Sequence, residues 1–286
     1  MTEEDKTRKI KELEEKGVIP YASKYNKEIK ARDVKKLELG TKGIQTAGRI
    51  IQMRKFGKLT FADLMDYTGT IQLAFSINDF GKERYEEFKE MISMGDFIGV
   101  KGELFKTRKG EITIKVKDFQ LLSKCMQNLP DKWHGVKDEK IKLSERYLDL
   151  LANEETRQRF LQRNRIIKFI RNYLEENDFI EVETPILQPQ LSGANARPFT
   201  TYYHALKKEV VLRIAPETYL KRLLVGGFER VFEIGRCFRN EDMDRSHLQD
   251  FTMLEYYASY WDYKDNMKFV ENMIKGLLKK VLGSLQ

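Results

Sequence analysis

The hydrophobic pattern changes period along the chain, and each change marks an element. Residues 1–16 alternate acidic and basic side chains and carry Ile10 and Leu13 at helical spacing. That pattern predicts a solvated helix, stopped by Gly17 and Pro20. From Gly43 to Ser123 the period becomes two, and residues 44–51, 59–64, 70–75, 97–104 and 112–116 read as short strands. Turn signals separate them at 55–58, 66–69 and 107–110, and a helical stretch from Lys82 to Met91 interrupts after the third strand. Residues 124–152, with Pro130, Trp133, His134 and Gly135, predict a connector ending in a short helix over 143–151. Asn153 is a candidate N-cap for a longer helix with Glu154 and Glu155 in its first turn. On it Phe160, Arg163, Ile166, Ile167, Ile170, Tyr173 and Leu174 recur at three-to-four spacing, and it stops near Asn177 and Asp178. A strand over 179–183 runs into Thr184 and Pro185. Strands over 210–214, 231–236 and 251–257 follow, with a helix over 217–225 and a last helix over about 263–282. No long crossover joins 231–236 to 251–257, so antiparallel pairing is expected there.

Five strands with a helix between the third and fourth is the order of an OB-fold barrel, a common oligonucleotide binder, although other small barrels share it. The second half reads as α+β. The expected division is a helical extension over 1–40, the barrel over 41–124, a linker over 125–152 and a second domain over 153–286. Length allows this, since 286 residues exceed what one core usually holds. Hydrophobic residues are 41% and charged residues 34%, which argues against wholesale disorder. No apolar run approaches the ~18 residues of a spanning helix, so no membrane role is expected. The two cysteines, Cys125 and Cys237, lie far apart; they fit a reducing, cytoplasmic setting and neither a zinc site nor a disulfide scaffold. No metal site is expected within the chain, and His134 and His204 have no partners at ligand spacing. A net charge of +8 points to a polyanionic partner.

The chemistry concentrates between residues 232 and 257, which read as strand, charged loop, strand. Arg236 and Arg239 lie three apart and face opposite sides of a pleated strand, so one guanidinium can reach a cleft while the other supports structure. Arginine suits bidentate phosphate recognition. Asp242, Asp244, Arg245, Ser246 and His247 form a polar loop tip. Beyond it Phe251, Met253, Glu255 and Tyr257 share one face. An acidic residue among apolar neighbours is costly unless it meets a cation. That cation is either a ligand's or an arginine's in a structural ion pair. Cys237, alternating with Phe238, reads as packing.

Phe238-Arg239-Asn240-Glu241 through Glu255 resembles motif 2 of class II aminoacyl-tRNA synthetases, and residues 179–185 resemble the end of their motif 1. Gly193-Ala194-Asn195-Ala196-Arg197-Pro198-Phe199, residues 212–223 and residues 225–234 resemble the lysyl-tRNA synthetase branch of that family. Phe61-Ala62-Asp63-Leu64 and residues 129–135 do so too. The resemblance runs from about residue 40 to the C-terminus. It implies an all-β OB-fold barrel for anticodon binding, then an α+β class II synthetase-type antiparallel-sheet domain, here incomplete. The implied substrates are L-lysine, ATP and tRNA(Lys), with lysyl-adenylate as intermediate.

By matching positions, the resemblance assigns Arg239 as the catalytic residue, on the ATP α-phosphate and the lysine carboxylate. Glu241 would take the adenine amino group, Phe251 would stack on adenine and His247 would reach the distal phosphates. Gly193 and Glu217 would receive the α-amino group, and Glu255 and Tyr257 the ε-ammonium. Glu217 also separates the chain from the aspartyl and asparaginyl enzymes. On the barrel, Arg49, Phe61 and Gln72 are the anticodon candidates, because base stacking is worth ~1–3 kcal/mol per base. Motif 1 implies a homodimer.

The pattern breaks at the C-terminus. Family members continue beyond the equivalent of Gln286 to the acidic Mg²⁺ ligands and to motif 3 with its arginine. Position 250 is Asp where the family often has Glu. The sequence leaves three readings: a fragment of an ordinary synthetase, one half of a split enzyme completed by a separate chain, or a non-catalytic tRNA-binding relative. A generic single-strand-binding OB protein leaves the second half without a purpose. Missing sheet strands would leave an apolar edge, so the isolated chain is expected to associate or dissolve poorly.

Overall fold

The computed structural model describes residues 3–126, 138–242, 244 and 246–283. Pro130, Trp133, His134 and Gly135 of the connector and Arg245 of the loop tip lie outside these residues. The chain divides into two compact units, Met1–Ala152 and Asn153–Gln286.

In the first unit β1 (Ile44–Phe56), β2 (Leu59–Asp66), β3 (Gly69–Ser76), β4 (Phe97–Lys106) and β5 (Ile112–Ser123) close a barrel in the order β1-β2-β3-β5-β4. All pairs are antiparallel except β3 with β5. Ile50, Leu64, Leu73, Phe75, Ile98, Val100, Leu104 and Ile114 fill its interior, completely buried. Two strands outrun the alternation that predicts them. β1 continues past 51 and β5 past 116, and at both places one residue is extra. Ile50 pairs with Leu64 but Gln52 with Asp63, and Lys101 pairs with Asp118 but Gly102 with Val116. Such bulges break the period of two while the strand goes on.

Helix α1 (Glu3–Glu15) turns Leu13 into the barrel's apolar cluster, and α2 (Ala31–Val34), too short for a periodic signal, adds Ala31 and Val34. α3 (Ile77–Phe80) is capped by the Ser76 hydroxyl, which accepts from the Asn78 amide. α4 (Lys82–Met91) buries Tyr85 and Phe88, with Phe88 stacked on Phe75 at 3.9 Å between centroids. Where one helix is expected over 143–151 there are two, α5 (Glu139–Ser144) and α6 (Arg146–Ala152), separated by the non-helical backbone of Glu145.

The second unit opens with α7 (Glu154–Glu175), for which Asn153 takes the extended N-cap conformation. Only the C-terminal end of its apolar face is covered. Leu174 joins Phe179, Phe232 and Phe269 in a core flanked by Tyr173, Tyr256 and Trp261, whereas Phe160 is 52% exposed. The expected strand over 179–183 shortens to β6 (Ile180–Glu181). Three-stranded sheets follow. One has the order β7 (Leu187–Gln188), β9 (Lys208–Leu212), β8 (Thr200–Tyr203). The other has the order β11 (Asp250–Ala258), β10 (Arg230–Phe238), β6; β10 and β11 are antiparallel as expected, and β6 joins β10 in parallel. α8 (Glu217–Val225) packs on β10 and β11. α9 (Tyr263–Leu277) starts at an Asp262–Asp265 capping box and passes into a π-helical turn over Leu278–Leu282. No helix among the described residues is long and apolar enough to cross a membrane.

Candidate functional site

The β10–β11 register sorts the motif's side chains by face. Directly opposed residues share a face, so Val231, Glu233, Gly235 and Cys237 stand with Tyr257, Glu255, Met253 and Phe251. Arg236 falls on the other face and pairs with Asp250 at 2.9 Å in a half-exposed contact. Arg239 follows the last residue of β10, its amide donating to the Gln249 carbonyl at 2.8 Å. Its guanidinium carbon sits 5.1 Å from the centre of the Phe251 ring, and its buried Nε has no hydrogen-bond partner among the described residues. A buried guanidinium donor without an acceptor is costly, and it suits an anionic ligand laid against a flat ring. Glu241 accepts from the Arg197 amide at 3.3 Å, which ties the loop after β10 to residues 193–199. His247 Nδ1 lies 2.8 Å from Asp244 Oδ2 in the exposed loop, and that contact holds the Asp244 carboxyl below its usual range.

The acidic candidates converge on the same unit. Glu217 opens α8, and Gly193 (φ 88°) lies so close that a Cβ there would stand 3.0 Å from the Glu217 Cβ. Only glycine takes that backbone at that distance without strain. Tyr257 donates its hydroxyl to Glu255 Oε2 at 3.2 Å. Burial raises the Glu255 carboxyl above its usual range; the Tyr257 hydrogen bond opposes this and the Glu217 charge adds to it. Burial, Glu255 and Glu217 likewise push the Tyr257 hydroxyl up. Among the described residues Glu217 pairs with Lys221 one turn along, at 2.6 Å, which also lies 5.6 Å from the Tyr257 ring centre. The structural ion pair left open for Glu255 belongs to another carboxylate. Glu233 pairs with Arg213 at 2.5 Å, with side chains 5% and 2% exposed. Sequence reasoning gave these two no role, although each is a single charge between apolar residues. Cys237 is buried, and burial raises its thiol, which suits packing.

On the barrel, the bulge at Ile51 decides what faces outward. Arg49 opposes Met65, Arg54 opposes Phe61, and Asp63 opposes both Gln52 and Gln72. Arg49, Phe61 and Gln72 therefore share the outer face of β1, β2 and β3. Arg49 donates to the Gly95 carbonyl at 3.0 Å and lies 4.3 Å over the Phe97 ring. Phe61 meets Phe56 edge to face at 6.3 Å, and Gln72 Oε1 accepts from the Thr113 hydroxyl at 2.8 Å. Arg54, which sequence reasoning passed over, grips Asp63 with two bonds of 3.0 and 3.3 Å and crosses to Gln52 at 2.8 Å. A polar layer with one edge-held ring suits unpaired bases.

The family model described as an OB-fold nucleic acid binding domain matches residues 44–122, and the one described as tRNA synthetases class II (D, K and N) matches residues 138–286. The lysine–tRNA ligase of Aquifex aeolicus is 52% identical over 243 residues, covering 85% of this chain and 41% of its own length. That of Syntrophomonas wolfei is 48% identical, covering 97% of this chain and 57% of its own, and that of Methanoculleus marisnigri is 46% identical, covering 96% and 56%. The chain thus spans about half the length of these curated relatives. With an OB-fold barrel in front of an α+β unit that carries the arginine and the acidic pocket, and a family match over more than half its residues, the chain belongs to the class II tRNA synthetases.

Proposed function

We propose that this chain serves the charging of tRNA(Lys) with lysine. The observation that carries the reading is the shared face on which Phe251 and Glu255 follow Arg239, with its unsatisfied Nε, while Glu217 and Tyr257 close the acidic end. Arg239 holds the α-phosphate and the lysine carboxylate and brings the carboxylate oxygen in line with the phosphorus. Catalysis then rests on positioning and charge neutralisation, with no protein nucleophile. Glu241 and Phe251 take adenine and His247 the distal phosphates. Gly193 and Glu217 receive the α-ammonium, Glu255 and Tyr257 the ε-ammonium. An uncharged competitor leaves a buried carboxylate unpaired, which is how a polar pocket discriminates. Magnesium belongs to this chemistry; among the described residues no three His, Cys, Asp or Glu side chains gather as a metal site.

In this reading residues 41–124 bind the anticodon through Arg49, Phe61 and Gln72, with 1–40 as an extension and 125–152 as a linker. Residues 153–286 supply motifs 1 and 2 in a cytoplasmic enzyme. Exposed Phe160 on α7 and Ile180 on β6 support a homodimer through motif 1. The test is lysine-dependent ATP–pyrophosphate exchange by the 286-residue chain, with Arg239→Ala as control. Exchange lost in the variant supports the reading. No exchange with tRNA binding retained would make the chain a recognition module, completed for catalysis by a separate chain or not at all. No lysine, ATP or tRNA binding would overturn it.

A further inference from the structure

Glu233 and Glu255 stand directly opposite each other on β10 and β11, so a buried and a half-buried carboxylate share one face. Like charges so placed repel, and burial disfavours both. What separates their fates is Arg213, just past the end of β9. Its Nη1 meets Glu233 and also donates to the Thr184 carbonyl and hydroxyl at 3.2 and 3.0 Å, and its Nε donates to the Arg236 carbonyl at 2.8 Å. Thr184 in turn donates its hydroxyl to Glu233 Oε2 at 2.6 Å and its amide at 3.2 Å. The guanidinium lies against Gly235, where a Cβ would come within 2.2 Å of Nη2. Glu233 is therefore fully engaged, while among the described residues Glu255 accepts a hydrogen bond from the Tyr257 hydroxyl alone.

We propose that Arg213 is a positioning residue of the lysine pocket: by neutralising Glu233 it leaves Glu255 ionised for the substrate's ammonium, and it fixes β10 against Thr184 so that Arg239 emerges beside Phe251. This rests on the reading of the pocket as a lysine site. The groups around Glu255 are Arg213 from just past β9, Glu233 and Cys237 from β10, Glu217 with its partner Lys221 from α8, and Tyr257 on its own strand. Burial raises Glu255 most, with Glu217 and Glu233 adding to it; Arg213 acts in the opposite sense.

The test is calorimetric titration of L-lysine into the 286-residue chain between pH 8 and pH 5. Binding needs Glu255 ionised, so affinity falls as acid protonates it. Arg213→Met leaves Glu233 unneutralised, which raises Glu255 further and moves the midpoint of that loss to higher pH, by about one unit. Glu233→Gln, nearly the same shape, leaves Arg213 uncompensated and moves the midpoint the other way. The double variant Arg213→Met/Glu233→Met removes both charges and restores the original midpoint. Midpoints that stay put in the single variants, or a double variant no nearer the original than Arg213→Met alone, would overturn the proposal; a purely structural role moves stability but not these signs. If Arg213→Met does not fold, Glu233→Gln alone decides. Failure of the unaltered chain to bind lysine at any pH would overturn the lysine reading, and this proposal with it.

Discussion

Removing the buried ammonium of Lys124 should unseat the barrel loop that carries the Arg49 contact. Lys124 and Asp96 have side chains 1% and 0% exposed and meet at 2.6 Å. The ammonium also donates to the Met91 carbonyl at 2.7 Å and the Ser93 hydroxyl at 3.2 Å. Asp96 accepts the amides of Ser93 at 2.7 Å and Cys125 at 2.9 Å, so it binds the start of β4 to the end of β5. Lys124→Met keeps the length of the stem and removes the charge. Asp96 then stays buried with two backbone donors and no counter-ion, a loss worth about 3–5 kcal/mol. For a unit of this size each kcal/mol moves the melting midpoint by about 2–4 °C, so a fall of roughly 10 °C is expected.

Function should follow. Arg49 donates to the carbonyl of Gly95 and lies over Phe97, the residues on either side of Asp96. Loosening Asp96 frees both, so on the proposed anticodon reading tRNA affinity should fall even below the new melting midpoint. Urea and thermal unfolding by circular dichroism, with filter binding of tRNA(Lys), measure both effects. Lys124→Met/Asp96→Asn, with neither charge, should recover more than half of the lost stability. A single variant within about 1 kcal/mol of the unaltered chain, or a double variant as unstable as the single, would refute the reasoning.

Asp66 gives the barrel an acid limit. Burial raises its carboxyl, but bonds from Lys27, Thr68 and the Ala31 amide outweigh burial and pull it down to about 2. A folded value below the unfolded one gives stability that is full above about pH 4 and lost as pH falls through about 2, roughly 2 kcal/mol in all. Asp66→Asn should flatten the urea midpoint across that window, and an unchanged slope would count against Asp66 as its source. Lys221 is a tethered ammonium in the proposed lysine pocket, paired with Glu217 and beside Tyr257. Lys221→Met should tighten lysine binding about two- to fivefold, in line with an exposed pair worth less than about 1 kcal/mol. Calorimetry showing weaker binding would make Lys221 a support of the pocket instead of an occupant.

Where the sequence was legible, a regular period carried the information. The β10–β11 hairpin keeps strict alternation, so the shared face of Phe251, Met253, Glu255 and Tyr257 could be read before any coordinates. α4, with its full turns, could be read as well. α2, β7 and β8 are too short for a period to form, and their placement comes from neighbours distant in sequence. The bulge at Ile51 hides more. By simple alternation Arg49 and Arg54, five apart, would face opposite sides of β1. The extra residue returns Arg54 to the face of Arg49 and allows it to grip Asp63. Arg213 and Glu233 escaped for a related reason. Each is visible as a charge between apolar residues, but only the pairing of Glu233 with Glu255 shows that one face holds two carboxylates and that Arg213 engages one of them. A sequence period reports what faces the core. It does not report which of two like charges meets a guanidinium, and on the proposed reading that choice decides what the remaining carboxylate can bind.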